Sequence, residues 1–237
     1  MSEIKVTANK LKKRKNRVKK AKILLLILLV LFTTSYIILG IIYNGGRFTV
    51  TLDPNFSIES GITLYESLNN KSKTNKLYAQ NISFMDNISI NWLPETIDTE
   101  SDGGAHNGDN YIAYTFYIVN EGEEILDYWQ EIYIDDVIKR VDEAIRIIVY
   151  QNGERTVYAK KNNLTKSNEP NTEPFYSDTL PVLRERKDFK PGDTDKYTIV
   201  IFIEGDDPDC VNELLGGEIK MHMDIREEHK EQKDKVK

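Results

Sequence analysis

The side chains best placed to do chemistry in this chain are hard oxygen donors crowded onto flexible backbone. Between Asp98 and Asn110 the sequence reads DTESDGGAHNGDN, which sets Asp98, Glu100, Asp102, His106 and Asp109 beside three glycines. Carboxylates on a loop able to wrap suit Ca²⁺, a hard cation that collects about six to eight oxygens. These five residues therefore form the first candidate ligand set, for Ca²⁺, although their spacing fits no EF-hand pattern. A second acidic loop, Glu204 to Asp209 (EGDDPD), offers the same donors, and its Asp207-Pro208 pair also initiates a turn.

Other chemistries find less support. The three histidines are His106, His222 and His229. A zinc peptidase places two histidines four apart on a helix with a glutamate between them, and no such run exists. Nor is there a Gly-x-Ser-x-Gly elbow, a phosphate-cradling glycine loop or a Cys-x-x-Cys pair. His222 reads as a sheet-surface residue beside Lys220 and Asp224, and the chain is expected to be no enzyme. Seven aromatic residues (Tyr111, Tyr114, Phe116, Tyr117, Tyr128, Trp129, Tyr133) fall within 23 positions. Exposed, such rings bind sugars; on strands they more commonly pack a core. The single cysteine, Cys210, excludes an internal disulfide and reads as a small buried apolar side chain.

The segment that carries these groups is set apart by composition. Ten Lys/Arg occupy the first 22 residues, and Ile23 to Ile42 then give 20 consecutive positions without a charge, interrupted only by Thr33, Thr34 and Ser35. As a helix, 20 residues span roughly 30 Å, the thickness of a bilayer's hydrocarbon core. The basic cluster precedes the span, and the first charge after it is the lone Arg47. Positive-inside bias then predicts a cytoplasmic N-terminus, with everything after Tyr43 outside. A cleaved signal peptide is the rival reading. Secretory apolar runs, however, are about 7 to 15 residues long and end in small residues of the Ala-x-Ala kind, which this sequence lacks. Residues 23–237 hold 22 basic and 37 acidic side chains, a net of −15 against −6 for the whole chain. So acidic a body disfavours nucleic acid as a partner and favours cations or basic surfaces.

Most of this body reads as strands. Ile82 to Trp92 alternates apolar and polar residues; Tyr111 to Val119 (YIAYTFYIV) and Thr198 to Ile203 (TIVIFI) are apolar on both faces; Glu218 to Ile225 alternates without a break. Asn152-Gly153 marks a hairpin, and Phe189 to Asp193 (FKPGD) a turn. Val137, Val141 and Ala144, behind Asp135 or Asp136 as cap, predict one helix, and Val211 to Leu215, closed by Gly216-Gly217, a second short one. Many short strands with one or two small helices point to a β-sandwich or jelly roll.

Four stretches together resemble a known group: Gly104 to Gly122 (GAHNGDNYIAYTFYIVNEG), Tyr197 to Gly205 (YTIVIFIEG), the GDDPDC at 205–210 and Gly216 to Asp224 (GGEIKMHMD). They look like the TasA/camelysin-like exported β-sandwich proteins of Gram-positive bacteria. The resemblance implies a jelly-roll protein of the cell surface or biofilm matrix, with fibre assembly in some members and peptidase activity in one branch. In that group the N-terminal run is normally removed; this chain departs there, with a longer basic lead. The resemblance carries no catalytic residue over.

The sequence therefore predicts a mainly β protein in four parts: a basic cytoplasmic segment 1–22, a transmembrane helix 23–43, a jelly-roll-like sandwich 44–225 and a charged tail 226–237. Its expected role is that of a membrane-anchored structural or interaction protein, contacting the bilayer through 23–43 and a protein partner, or a second copy, through an open sheet edge. The alternatives are a Ca²⁺- or carbohydrate-binding surface module and a camelysin-like metallopeptidase in which His106 or His222 meets carboxylates in space.

Overall fold

The computed structural model describes residues 2–44, 48–82 and 84–229. The chain divides into two compact units, 1–46 and 47–237. The first is a single helix, α1 (Ser2–Asn44). Within it Lys10–Leu39 is, among the described residues, the one stretch long and apolar enough to cross a membrane, and none of it is buried. The helix passes from the basic segment into the apolar run without a break. Two of the three polar interruptions are masked internally: the Thr33 and Thr34 hydroxyls donate to the Val30 carbonyl at 2.9 and 3.0 Å. A hydroxyl bonded back to its own helix costs an apolar surrounding little.

The second unit is a two-sheet sandwich. Its strands are β1 (Thr49–Leu52), β2 (Ile62–Tyr65), β3 (Lys76–Tyr78), β4 (Gly104–Ala105), β5 (Tyr111–Asn120), β6 (Leu126–Ile138), β7 (Ile145–Gln151), β8 (Glu154–Ala159), β9 (Glu173–Pro174), β10 (Val182–Phe189), β11 (Thr194–Ile203) and β12 (Glu218–Arg226). One sheet has the order β10-β6-β12-β1-β3 and the other β2-β5-β11-β7-β8-β9, with β4 also on β5. The chain shuttles between them: β1, β3, β6, β10 and β12 lie in the first sheet, and β2, β5, β7, β8 and β11 in the second. That alternation makes the sandwich jelly-roll-like, with β5 inserted between β2 and β11. β1 and β12 pair in parallel, Thr49 opposite His222 and Leu52 opposite Ile225.

The main core fills the space between the sheets. Tyr114, Phe116 and Ile118 of β5 and Tyr197, Ile199 and Ile201 of β11 face Tyr128, Ile132 and Ile134 of β6 and Met221, Met223 and Ile225 of β12. A second cluster lies on the outer face of the β5-β11-β7-β8 sheet, where Ile88 and Ile97 cover Ala113, Ile148, Val157, Val200 and Phe202. This cover explains why β5 and β11 are apolar on both faces. A strand buried on one side only would alternate.

Two expected elements are absent. Among the described residues of Ile82 to Trp92 there is no strand: Ile88 makes one isolated bridge to Glu204, and Ile90–Trp92 is a 3-10 turn. Ile88 and Ile90 are spent instead on the second cluster, while Phe84 and Trp92 stay exposed. Val137 to Ala144 forms no helix either, because β6 runs on to Ile138 against β12, with Val137 opposite Ile219. Lys139 and Arg140 then adopt φ of +58° and +56°, a left-handed pair no α-helix contains, before a 3-10 turn at Val141–Glu143. Conversely, α2 (Pro54–Ser60) is a short helix the apolar periodicity does not reveal. Its ends were written in the sequence: the Asp53 carboxylate accepts from the Asn55 amide at 2.8 Å, Pro54 opens the first turn, and Gly61 closes it at φ +76°. Residues Asn212–Leu214 form the second expected turn of helix, as 3-10. Positions 230–237 of the charged tail lie outside the described residues.

Candidate functional site

The loop bearing the five expected Ca²⁺ ligands serves as a strap across the outer face of the second sheet. The Asp98 carbonyl accepts from Lys196 Nζ at 2.5 Å, and Gly104–Ala105, as β4, pairs with Thr115 and Tyr114. Gly103 and Gly108 answer to close packing. Gly103 sits at φ +143°, and a Cβ there would stand 2.0 Å from the Glu66 carbonyl oxygen. His106 turns both ring nitrogens to carbonyl oxygens, Nδ1 to Gly104 at 3.2 Å and Nε2 to Ile97 at 3.1 Å. Glu100, Asp102 and Asp109 are exposed and Asp98 half-buried. No three of Asp98, Glu100, Asp102, His106 and Asp109 bring ligand atoms within 4.8 Å of one another.

Among the described residues that convergence occurs elsewhere, at Glu169, Asp207 and Asp209. Asp207 and Asp209 come from the second acidic loop, which follows β11. Glu169 comes from the excursion between β8 and β9, folded back so that the Asn163 amide donates to Asp209 Oδ2 at 2.7 Å. Arg146, on the outer face of β7 and 4 % exposed, lies beneath them. Its Nη2 is 2.6 Å from Asp207 Oδ2 and 3.8 Å from Glu169 Oε2. The Asp209 amide donates to Asp207 Oδ1 at 2.7 Å. Glu169 and Asp207 are 7 % and 5 % exposed. The Glu169 carboxylate receives no hydrogen bond among the described residues, its nearest cation being Arg146 at 3.8 Å. Three carboxylates against one guanidinium leave two negative charges in a largely desolvated pocket, a costly arrangement in isolation. Nearby, Cys210 is half-exposed, not buried as its sequence context suggested. Its thiol accepts from Asn87 Nδ2 at 3.4 Å, and burial raises its pKa.

A second polar cluster occupies the outer face of the first sheet. His222 does meet carboxylates there: Nδ1 lies 2.9 Å from Asp135, Nε2 3.7 Å from Asp224, and the ring stacks on Tyr133 at 5.1 Å. The two carboxylates sit at opposite ring nitrogens, so one metal ion cannot take all three groups. Hydrogen bonding to Asp224 lifts the His222 pKa above its ordinary 6.5, against some burial, and Asp135 adds to the rise. Beside it the fully buried Glu131 accepts from the Tyr133 hydroxyl at 2.8 Å and stands 2.5 Å from His229 Nδ1. Of the seven clustered aromatics, Tyr114, Phe116, Tyr117, Tyr128 and Tyr133 are buried, which leaves Tyr111 and Trp129 half-exposed.

No family model matches the chain, and no curated protein does. Among solved structures it is similar to the β-glucosidase of Kluyveromyces marxianus in complex with glucose, at 12 % identity over 71 % of this chain and 15 % of that one, with a TM-score of 0.26. It is also similar to the GH31 α-xylosidase of Xanthomonas citri, at 10 % identity over 70 % of this chain and 18 % of that one, with the same TM-score of 0.26. The chain thus spans less than a fifth of either enzyme, and likeness at that score carries no argument about activity.

Proposed function

We propose that this chain is a single-pass membrane protein that keeps residues 1–22 in the cytoplasm and holds its sandwich outside, as a structural or interaction protein of the cell surface. The observation that carries the reading is the join of two unlike parts. An unburied helix of membrane-spanning length, basic on one side only, precedes in sequence a folded body of opposite charge. The resemblance to TasA/camelysin-like proteins supports the cell-surface part of this reading. Partner contact falls to β10, the longest edge strand, which pairs with β6 on one side only. Its charges Arg184, Glu185, Arg186, Lys187 and Asp188, with the register shift between Arg186 and Phe189, guard it against indiscriminate pairing, as protected edges do. A partner strand of complementary charge is the occupant such an edge admits.

Cysteine labelling on intact cells tests the topology. In a Cys210→Ser background, Asp102→Cys places the only thiol at an exposed position. A membrane-impermeant maleimide is expected to label it without lysis. Labelling only after lysis overturns the orientation, and mature protein in the medium, beginning near Tyr36 or Arg47, overturns the tether.

A further inference from the structure

We infer that Glu169, Asp207 and Asp209 form a Ca²⁺ site that pins the 160–178 excursion to the loop after β11. Their ligand atoms lie within 4.8 Å of one another. The second and independent observation is that Glu169, more than nine-tenths buried and aimed into the cluster, receives no hydrogen bond among the described residues and meets only Arg146, at 3.8 Å, while the buried Asp207 Oδ2 makes no hydrogen bond either. A buried carboxylate whose one partner is a guanidinium at 3.8 Å recovers little of its lost hydration, unless a second cation completes it. Charge sets the valence. Arg146 offsets one of the three negative charges, and the remaining two equal the charge of a divalent ion.

Donor type sets the ion. The three groups are oxygens from two separate loops, without histidine or thiolate, which suits Ca²⁺ over zinc. Loops of this kind adapt to the longer, irregular coordination of Ca²⁺ better than to the strict octahedron of Mg²⁺. Arg146 then acts as a support beneath the site, holding Asp207 by its Oδ2 while the ion draws in Glu169 and Asp209. The inference is independent of which side of the membrane the body occupies.

Full-length protein, purified in detergent and stripped with EGTA, is titrated with CaCl₂ by calorimetry and melted with and without the ion. One Ca²⁺ per chain is expected, with a midpoint raised by roughly 5–10 °C once free Ca²⁺ reaches about a hundred times Kd. Glu169→Gln and Asp209→Asn are each expected to weaken binding at least tenfold. In EGTA these neutral variants melt at or above wild type, because each removes an uncompensated charge; in Ca²⁺ they melt below it. A purely structural carboxylate gives no such crossing. Absence of binding, binding that survives both substitutions, or an equal response to Mg²⁺ overturns the assignment.

Discussion

His222 holds two carboxylates apart with a single ring, and the arrangement has a definite pH signature. A histidine whose folded pKa lies above its unfolded value contributes stability that is fully present below the unfolded value, near 6.5, and is lost as pH rises through the folded one. The midpoint difference between wild type and His222→Gln is therefore expected to favour wild type at pH 5.5 and to vanish by pH 9. A difference that grows with pH contradicts the ion pairs. Asp195 is the stronger test of the interior. It is 2 % exposed and accepts from Tyr128 Oη at 2.5 Å, Asn152 Nδ2 at 2.7 Å and Arg186 Nε at 3.0 Å. Burial first, then Tyr197 and Asp195, hold the Tyr128 pKa well above 10, so its hydroxyl remains a donor. Asp195→Ala strips the acceptor from a buried phenol and a partly exposed guanidinium at once and is expected to cost roughly 1–3 kcal/mol in urea unfolding.

Among the elements, the β7-β8 hairpin was legible because two residues fix it. Asn152 and Gly153 take φ of +54° and +85°, the pair a type I′ turn requires. Gly153→Ala is expected to cost about 1–2 kcal/mol. Gly103→Ala should cost more, since strained φ and a 2.0 Å approach to the Glu66 carbonyl act together; equal unfolding midpoints for the two variants argue against the close packing. The alternation in β12 and the two-faced apolar runs of β5 and β11 were legible for similar reasons, being periodic and local. Val137 to Ala144 was misread because a strand end followed by a tight left-handed turn buries the same residues a helix would. The Asp98 to Asp109 loop showed its donors, but their side chains diverge, which spacing alone does not reveal. Asp207 and Asp209 were visible as donors for the same reason. Glu169, in a polar excursion, and Arg146, inside an apolar strand, join them only through long-range folding.

For the molecule as a whole, the proposed orientation rests on the charge step between the start of α1 and the sandwich. Replacing Lys19, Lys20 and Lys22 together with Arg14 and Arg17 by Gln removes half of the basic residues that precede the span. A measurable fraction of chains is then expected to insert with reversed topology, read as protection of the Asp102→Cys label in intact cells. Unchanged labelling argues that the acidic body, and not the basic lead, sets the orientation. The parallel pairing of β1 with β12 has a mechanical consequence for a tethered protein. A pull from the helix enters the body at the start of β1, whose neighbour β12 runs the same way from His222 to Ile225 beside it. Tension carried off through the far end of β12 loads every rung between the two strands simultaneously, in shear, where an antiparallel neighbour would let them unzip one by one. The first strand after the helix is thus built into the body as a clamp.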